Sequence, residues 1–236
     1  MMTMDKPNVE WNEILLGEIL VFSLLGRLLY EPLDKEWLQS LIAEDVFSEV
    51  PFGANQKETG LGLVLLNQWV RDNKPELSDE SFDTLRADYT RLFVGVGKGI
   101  VPSWESVYFS EDRMVFQEQT IKVRGWYRRF GLEAEKINQE PDDHIGLELL
   151  FFAHVATLAL KAVENENMAE LNDLLDAQRE FLSAHLGVWV LNWCKLVERN
   201  AKTDFYTGLA HLTRGAARAF SEVLEVPLSK EAAQLG

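Results

Sequence analysis

Only one cysteine, Cys194, stands in the 236 residues, inside the apolar run VWVLNWCKLV. That excludes an internal disulfide framework and any multi-cysteine zinc or iron–sulfur site. Its apolar neighbours mark it as a buried structural thiol rather than a nucleophile. A single free thiol fits a reducing cytoplasm. Histidine is nearly as scarce, and the four, at 144, 154, 185 and 211, share no ligand spacing. There is no His-Glu-x-x-His zinc motif, and no paired Glu-x-x-His helices for a carboxylate-bridged di-iron bundle. No metal and no other cofactor is expected. Basic residues are outnumbered, 23 against 38 acids, for a formal net charge of -15. That balance argues against a nucleic-acid backbone or an anionic membrane surface as partner, and it suits a cationic one. Long uncharged runs are also missing. LGLVLLNQWV is too short to span a bilayer, and IGLELLFFAHVATLALKAV carries Glu148, His154 and Lys161, so no stable membrane insertion is expected. The N-terminal MMTMDKPNVEWNE has neither the basic region nor the apolar stretch of a secretory signal. The expected compartment is the cytoplasm.

What the chain does have is helical periodicity. Hydrophobic residues make up 47%, with seven Trp and thirteen Phe as large packing units. Ile14, Leu15, Ile19, Phe22, Leu25 and Leu29 form one apolar face from Glu10 to Tyr30. A short helix is predicted in LDKEWLQSLIAEDVF, and a third around Leu61, Leu65 and Trp69. Ser78 reads as the N-cap of a fourth, with Asp79 and Glu80 in its first turn. A fifth is predicted from about Arg113 to Phe130, ending at Gly131. Further helices are predicted from EPDDH to about Glu164, in MAELNDLLDAQREFLSAHL, around Trp189 and Trp193, and along Phe205, Leu209, Leu212, Ala216 and Phe220. Prolines 32, 51, 75, 102, 141 and 227 fall between helices or at their starts. No stretch alternates with period two. The expectation is an all-α fold, one globular domain over residues 1–236 with nine to eleven helices.

Two connections are long. Residues 95–112, GVGKGIVPSWESVYFSED, exceed the usual helix–helix loop, and such loops often carry function. Residues 131–140, GLEAEKINQE, are polar and offer a hinge between N-terminal and C-terminal helical parts. A hinge there permits either a monomer or a domain-swapped homodimer. Gly97-Lys98 sits among glycines, but Leu92 and Gly99 occupy positions where a phosphate loop needs Gly and Ser or Thr. Ser103 and Ser106 lie in the first long loop without a G-x-S-x-G elbow. A helical hydrolase using His144 with Asp143 or Ser106 is therefore a weak alternative.

The stretch EPDDHIGLELLFF, residues 140–152, is the most informative. Pro141 fits a first helical position, and Asp142 and Asp143 fit an electropositive first turn. His144 follows directly, one turn before Glu148, where helix initiation needs no imidazole. Its ordinary roles are to pair with a nearby carboxylate or to fix the long loop by a hydrogen bond.

LRADYTRLFVG (85–95), VPSWESVYFSED (101–112) and EPDDHIGLELLFFAH (140–154) occur in that order. Together they resemble the TorD/DmsD family of cytoplasmic chaperones, the redox enzyme maturation proteins, over roughly residues 10–224. The resemblance implies an all-helical protein that is not an enzyme. It implies binding to the twin-arginine signal peptide and apo form of a molybdoenzyme catalytic subunit, held until its cofactor is inserted before export. By that resemblance the peptide-binding positions are Tyr89, Leu92, Phe93, Pro102, Ser103, Trp104, Tyr108, Pro141, Asp143 and His144. Glu105, Asp142 and Asp143 would receive guanidinium groups. Tyr89, Leu92, Phe93 and Trp104 would line an apolar groove for the hydrophobic segment. His144 would be a clamp between helix start and loop. A second reading within the family is an assembly factor for a non-exported subunit of the nitrate-reductase type.

Overall fold

Apolar residues at three- and four-residue spacing give this chain its helices, and the computed structural model describes residues 8–94, 99–110, 112, 114–133 and 140–229. Among the described residues there are ten α-helices and no named strand. They are α1 (Asn8–Tyr30), α2 (Lys35–Ala43), α3 (Lys57–Asp72), α4 (Asp79–Tyr89), α5 (Glu105–Phe109), α6 (Glu118–Arg129), α7 (Ile145–Glu164), α8 (Met168–Ala184), α9 (Leu186–Asn200) and α10 (Asp204–Leu224). A wider turn of π type, Thr90–Val94, extends α4. The expected N-cap is in place: Ser78 Oγ accepts the Ser81 N–H. Gly131 ends the turn after α6 with φ +73°, a conformation that suits glycine.

Two reciprocal glycine contacts set how the helices pack. A Cβ on Gly26 of α1 would lie 2.9 Å from the Gly146 carbonyl oxygen, and one on Gly146 of α7 would lie 2.7 Å from that of Gly26. Gly62 of α3 and Gly208 of α10 meet in the same way, at 2.8 and 3.1 Å. Small residues let these backbones approach where any side chain would hold them apart. The core fills the space between, with Phe22, Phe52, Phe152 and Phe220 in mutual edge and tilted ring contacts. Cys194 is fully buried, and burial pushes its thiol far above the ordinary range.

Four expectations need correction. The 95–112 connection is not all loop, because it contains α5; one turn of helix is too short for periodicity to reveal. The helix predicted from Arg113 begins at Glu118, after bends at 115–117. Helix α7 is long and apolar enough to cross a membrane by length and composition, despite its charged residues. It is a central core helix here, with α1 and α8 along its sides and 61% of its most apolar window buried within the protein. Finally, Pro141, Asp142 and Asp143 precede α7 rather than opening it. Residues 134–139 of the expected hinge and Gly97-Lys98 lie outside the described residues.

Candidate functional site

His144 is the N-cap of α7: its Nδ1 accepts the Gly146 N–H at 3.1 Å. An imidazole nitrogen thus does what a Ser or Asp side chain usually does. The ring stands edge-on to Tyr30 at 5.3 Å and to Trp104 at 5.7 Å. His144 and Trp104 also form an antiparallel bridge. Ile145 N–H donates to the Ser103 carbonyl at 2.8 Å, and Glu105 N–H to the Asp143 carbonyl at 2.9 Å. The start of α7 and the start of α5 are therefore laced together through backbone.

The two aspartates face away from α7. Asp143 is fully buried and caps α5 from outside: its Oδ2 accepts the Ser106 N–H at 2.6 Å and its Oδ1 the Thr120 hydroxyl at 2.7 Å. Asp142 is 1% exposed and takes two N–H groups from Arg124, Nε at 2.9 Å and an Nη at 2.6 Å, both on Oδ2. Its backbone carbonyl accepts the Tyr127 hydroxyl at 3.1 Å. The pull of α5 and α6 on these carboxylates explains why they do not sit in the first turn of α7. Three loop-to-helix partners outweigh a dipole contribution of about 0.3–1 kcal/mol.

Two more carboxylates are buried beside them. Glu105 bonds His185 Nδ1 at 2.9 Å, where His185 marks the break between α8 and α9. Burial raises the Glu105 carboxyl above the usual carboxylate range, while the His185 bond pulls it down. Glu148 is fully buried and raised well above that range, by burial first and then by Glu105 and Asp143. The Trp189 indole N–H donates to its Oε2 at 3.3 Å. Several polar atoms at this junction have no hydrogen-bond partner among the described residues: Trp104 Nε1, Ser106 Oγ, Asp142 Oδ1 and Glu148 Oε1. No group of three or more His, Cys, Asp or Glu suited to a metal ion exists among the described residues.

The structure brings Pro102, Ser103, Trp104, Glu105 and Tyr108 together with Pro141, Asp142, Asp143 and His144. Tyr108 is buried, donates its hydroxyl to the Pro102 carbonyl at 2.8 Å and packs on Trp189 at 5.0 Å. Trp104 is half-buried. Tyr89, Leu92 and Phe93 belong to a neighbouring wall. Leu92 and Phe93 are core residues rather than an open groove lining, and Phe93 stacks on Trp193 at 6.0 Å. Tyr89 is half-buried against Phe93 and Tyr206. Val101 N–H donates to the Leu92 carbonyl at 2.8 Å, which ties this wall to the loop. Trp189 and Trp193, one turn apart on α9, back both parts. Sequence reasoning missed Thr120, Arg124 and His185 as partners of the carboxylates. Nothing local marks them, since they lie 18 to 80 residues from the groups they meet. Exposed apolar side chains follow the junction residues in the chain: Phe109 after Tyr108, Ile121 after Thr120, and Met114 and Phe116 between them.

The described residues form an all-helical scaffold. A family model described as the nitrate reductase delta subunit matches residues 54–195, and the chain belongs to that family, in which the TorD and DmsD chaperones stand. The Tat proofreading chaperone DmsD of Salmonella typhimurium is 28% identical over 149 residues, 63% of this chain and 66% of that protein. The chaperone protein TorD of Shewanella loihica is 25% identical over 217 residues, 89% of this chain and 94% of its own. That of Vibrio cholerae is 31% identical over 128 residues, 54% of this chain and 56% of its own. These relatives are named as chaperones, not as enzymes.

Proposed function

We propose that this protein is a cytoplasmic chaperone that binds the twin-arginine signal peptide of a molybdoenzyme precursor and holds it for cofactor insertion before export. The observation that carries the reading is the junction of α5 with the start of α7. Buried Glu105 is closely followed in the chain by exposed Phe109, and Thr120, the partner of buried Asp143, by exposed Ile121. A relative named for Tat proofreading matches 63% of this chain. A signal peptide of this kind has a basic head and an apolar body. The head meets Asp142 at the mouth, where Arg124 is 20% exposed. The body lies along Phe109, Met114, Phe116 and Ile121, against half-buried Trp104. Asp143 and Glu105 act by holding the loop, since both are enclosed and partnered within the fold. An ordering peptide loses conformational entropy, so aromatic anchors must supply the surplus.

Calorimetric titration with signal peptides of several molybdoenzymes tests this, with a peptide whose two arginines are glutamine as control. Binding that requires the arginines supports the proposal. A second reading is favoured by the description of the matching family model: an assembly factor for a nitrate-reductase-type subunit that is not exported. It predicts that no isolated signal peptide binds and that a mature subunit does.

A further inference from the structure

We propose that Arg124 is a resident stand-in for the client's guanidinium, holding Asp142 until an incoming arginine replaces it. The inference rests on the reading of this junction as a receiver of a basic and apolar peptide.

Asp142 is 1% exposed. A carboxylate so enclosed cannot be left without a cation, because removing one member of a buried pair is strongly destabilising. A client arginine therefore reaches Asp142 by exchange and not by filling an empty place. The resident pairing is built for exchange. A guanidinium fork normally engages both carboxylate oxygens. Here the two Arg124 N–H groups that bond Asp142 both go to Oδ2, and Oδ1 is buried with no donor among the described residues. As Arg124 swings out, the arriving guanidinium takes its place and can engage Oδ1 as well as Oδ2, so Asp142 ends paired at both oxygens. Arg124 has somewhere to go, since it lies on the partly exposed side of α6, one turn after Ile121, which is 69% exposed. The same geometry discriminates. An ammonium is a point charge and cannot bridge the two oxygens as a planar fork does, so a lysine pair is a poor replacement for arginine.

The test uses the full-length protein. Arg124→Ala, Arg124→Lys and the double variant Arg124→Ala/Asp142→Asn are made. Thermal melting is followed in low-millimolar guanidinium chloride against potassium chloride at equal ionic strength. The expected result is that guanidinium raises the melting temperature of Arg124→Ala only, not that of the wild type or the double variant. In parallel, a signal peptide is titrated into each protein. Arg124→Ala is expected to bind at least tenfold more tightly than wild type, with the gain absent from the double variant. Arg124→Lys keeps a charge against Asp142 and so guards against misfolding; an intermediate gain is expected. Equal or weaker peptide binding by both single variants overturns the exchange and leaves the chaperone reading standing. Failure of guanidinium to stabilise Arg124→Ala overturns it as well. No peptide binding by any of the proteins sinks the chaperone reading itself.

Discussion

Replacing Asp143 with alanine should be the most damaging single change at the junction. Its two carboxylate oxygens accept the Ser106 N–H at 2.6 Å and the Thr120 hydroxyl at 2.7 Å, and the residue is fully buried. Hydrogen bonds to a charged group contribute about 1.5–3 kcal/mol each, and the donors left behind are orphaned away from water. Because the two bonds share one carboxylate, they do not add fully, and a loss of about 3–4 kcal/mol is expected. For a chain of this size that lowers the melting temperature by roughly 6–16 °C. Urea unfolding measures the loss, and amide hydrogen exchange locates it, with protection falling first at Glu105 and Ser106. Asp143→Asn is the informative companion. Its carbonyl oxygen still accepts from Ser106, and the Thr120 hydroxyl can rotate to accept from the new amide, so the cost is about half. The reasoning fails if Asp143→Ala unfolds within about 0.5 kcal/mol of wild type, the range of an ordinary surface change.

Other outcomes follow from the packing and the buried acids. Gly146→Ala places a Cβ 2.6 Å from Tyr30 Cβ and 2.7 Å from the Gly26 carbonyl, so α1 and α7 must separate; circular-dichroism melting should show a loss of about 1–3 kcal/mol. Burial, and then Glu105 and Asp143, raise the Glu148 carboxyl well above the usual range, so its folded-state affinity for a proton exceeds the unfolded one. Stability then falls as pH rises from the ordinary carboxylate range through the raised folded value. Glu148→Gln should remove that component, gaining on wild type as pH rises in urea titrations; a gain that shrinks with pH would contradict it. Cys194 should react with a thiol reagent only after denaturation, because its sulfur is enclosed and its thiolate disfavoured.

The helices that form the body of the protein could be read from local spacing. Leu15, Phe22, Leu25 and Leu29 are all buried, as their period requires. Ser78 could be read too, because an N-cap and its acidic first turn are contiguous in sequence. The start of α7 could not. PDDH offers several residues able to begin a helix, and the choice fell to His144 because Asp143 and Asp142 are drawn off by Ser106, Thr120 and Arg124. Those partners are close only after folding. Leu92 and Phe93 show a second limit. An apolar side chain reads the same whether it lines a groove or fills the core, and here Trp193 of α9 covers Phe93. The segments that carry the family resemblance do meet in space, but which of their side chains are enclosed and which are exposed is decided by tertiary packing.

Calorimetric titration of a small panel of twin-arginine signal peptides into the purified protein tests the central claim most directly, with Trp104→Ala and His144→Ala alongside. The account predicts micromolar or tighter binding by one peptide, weakened by both substitutions and lost when its arginine pair is replaced by glutamine. Absence of binding by every peptide, with a mature enzyme subunit binding instead, would contradict it.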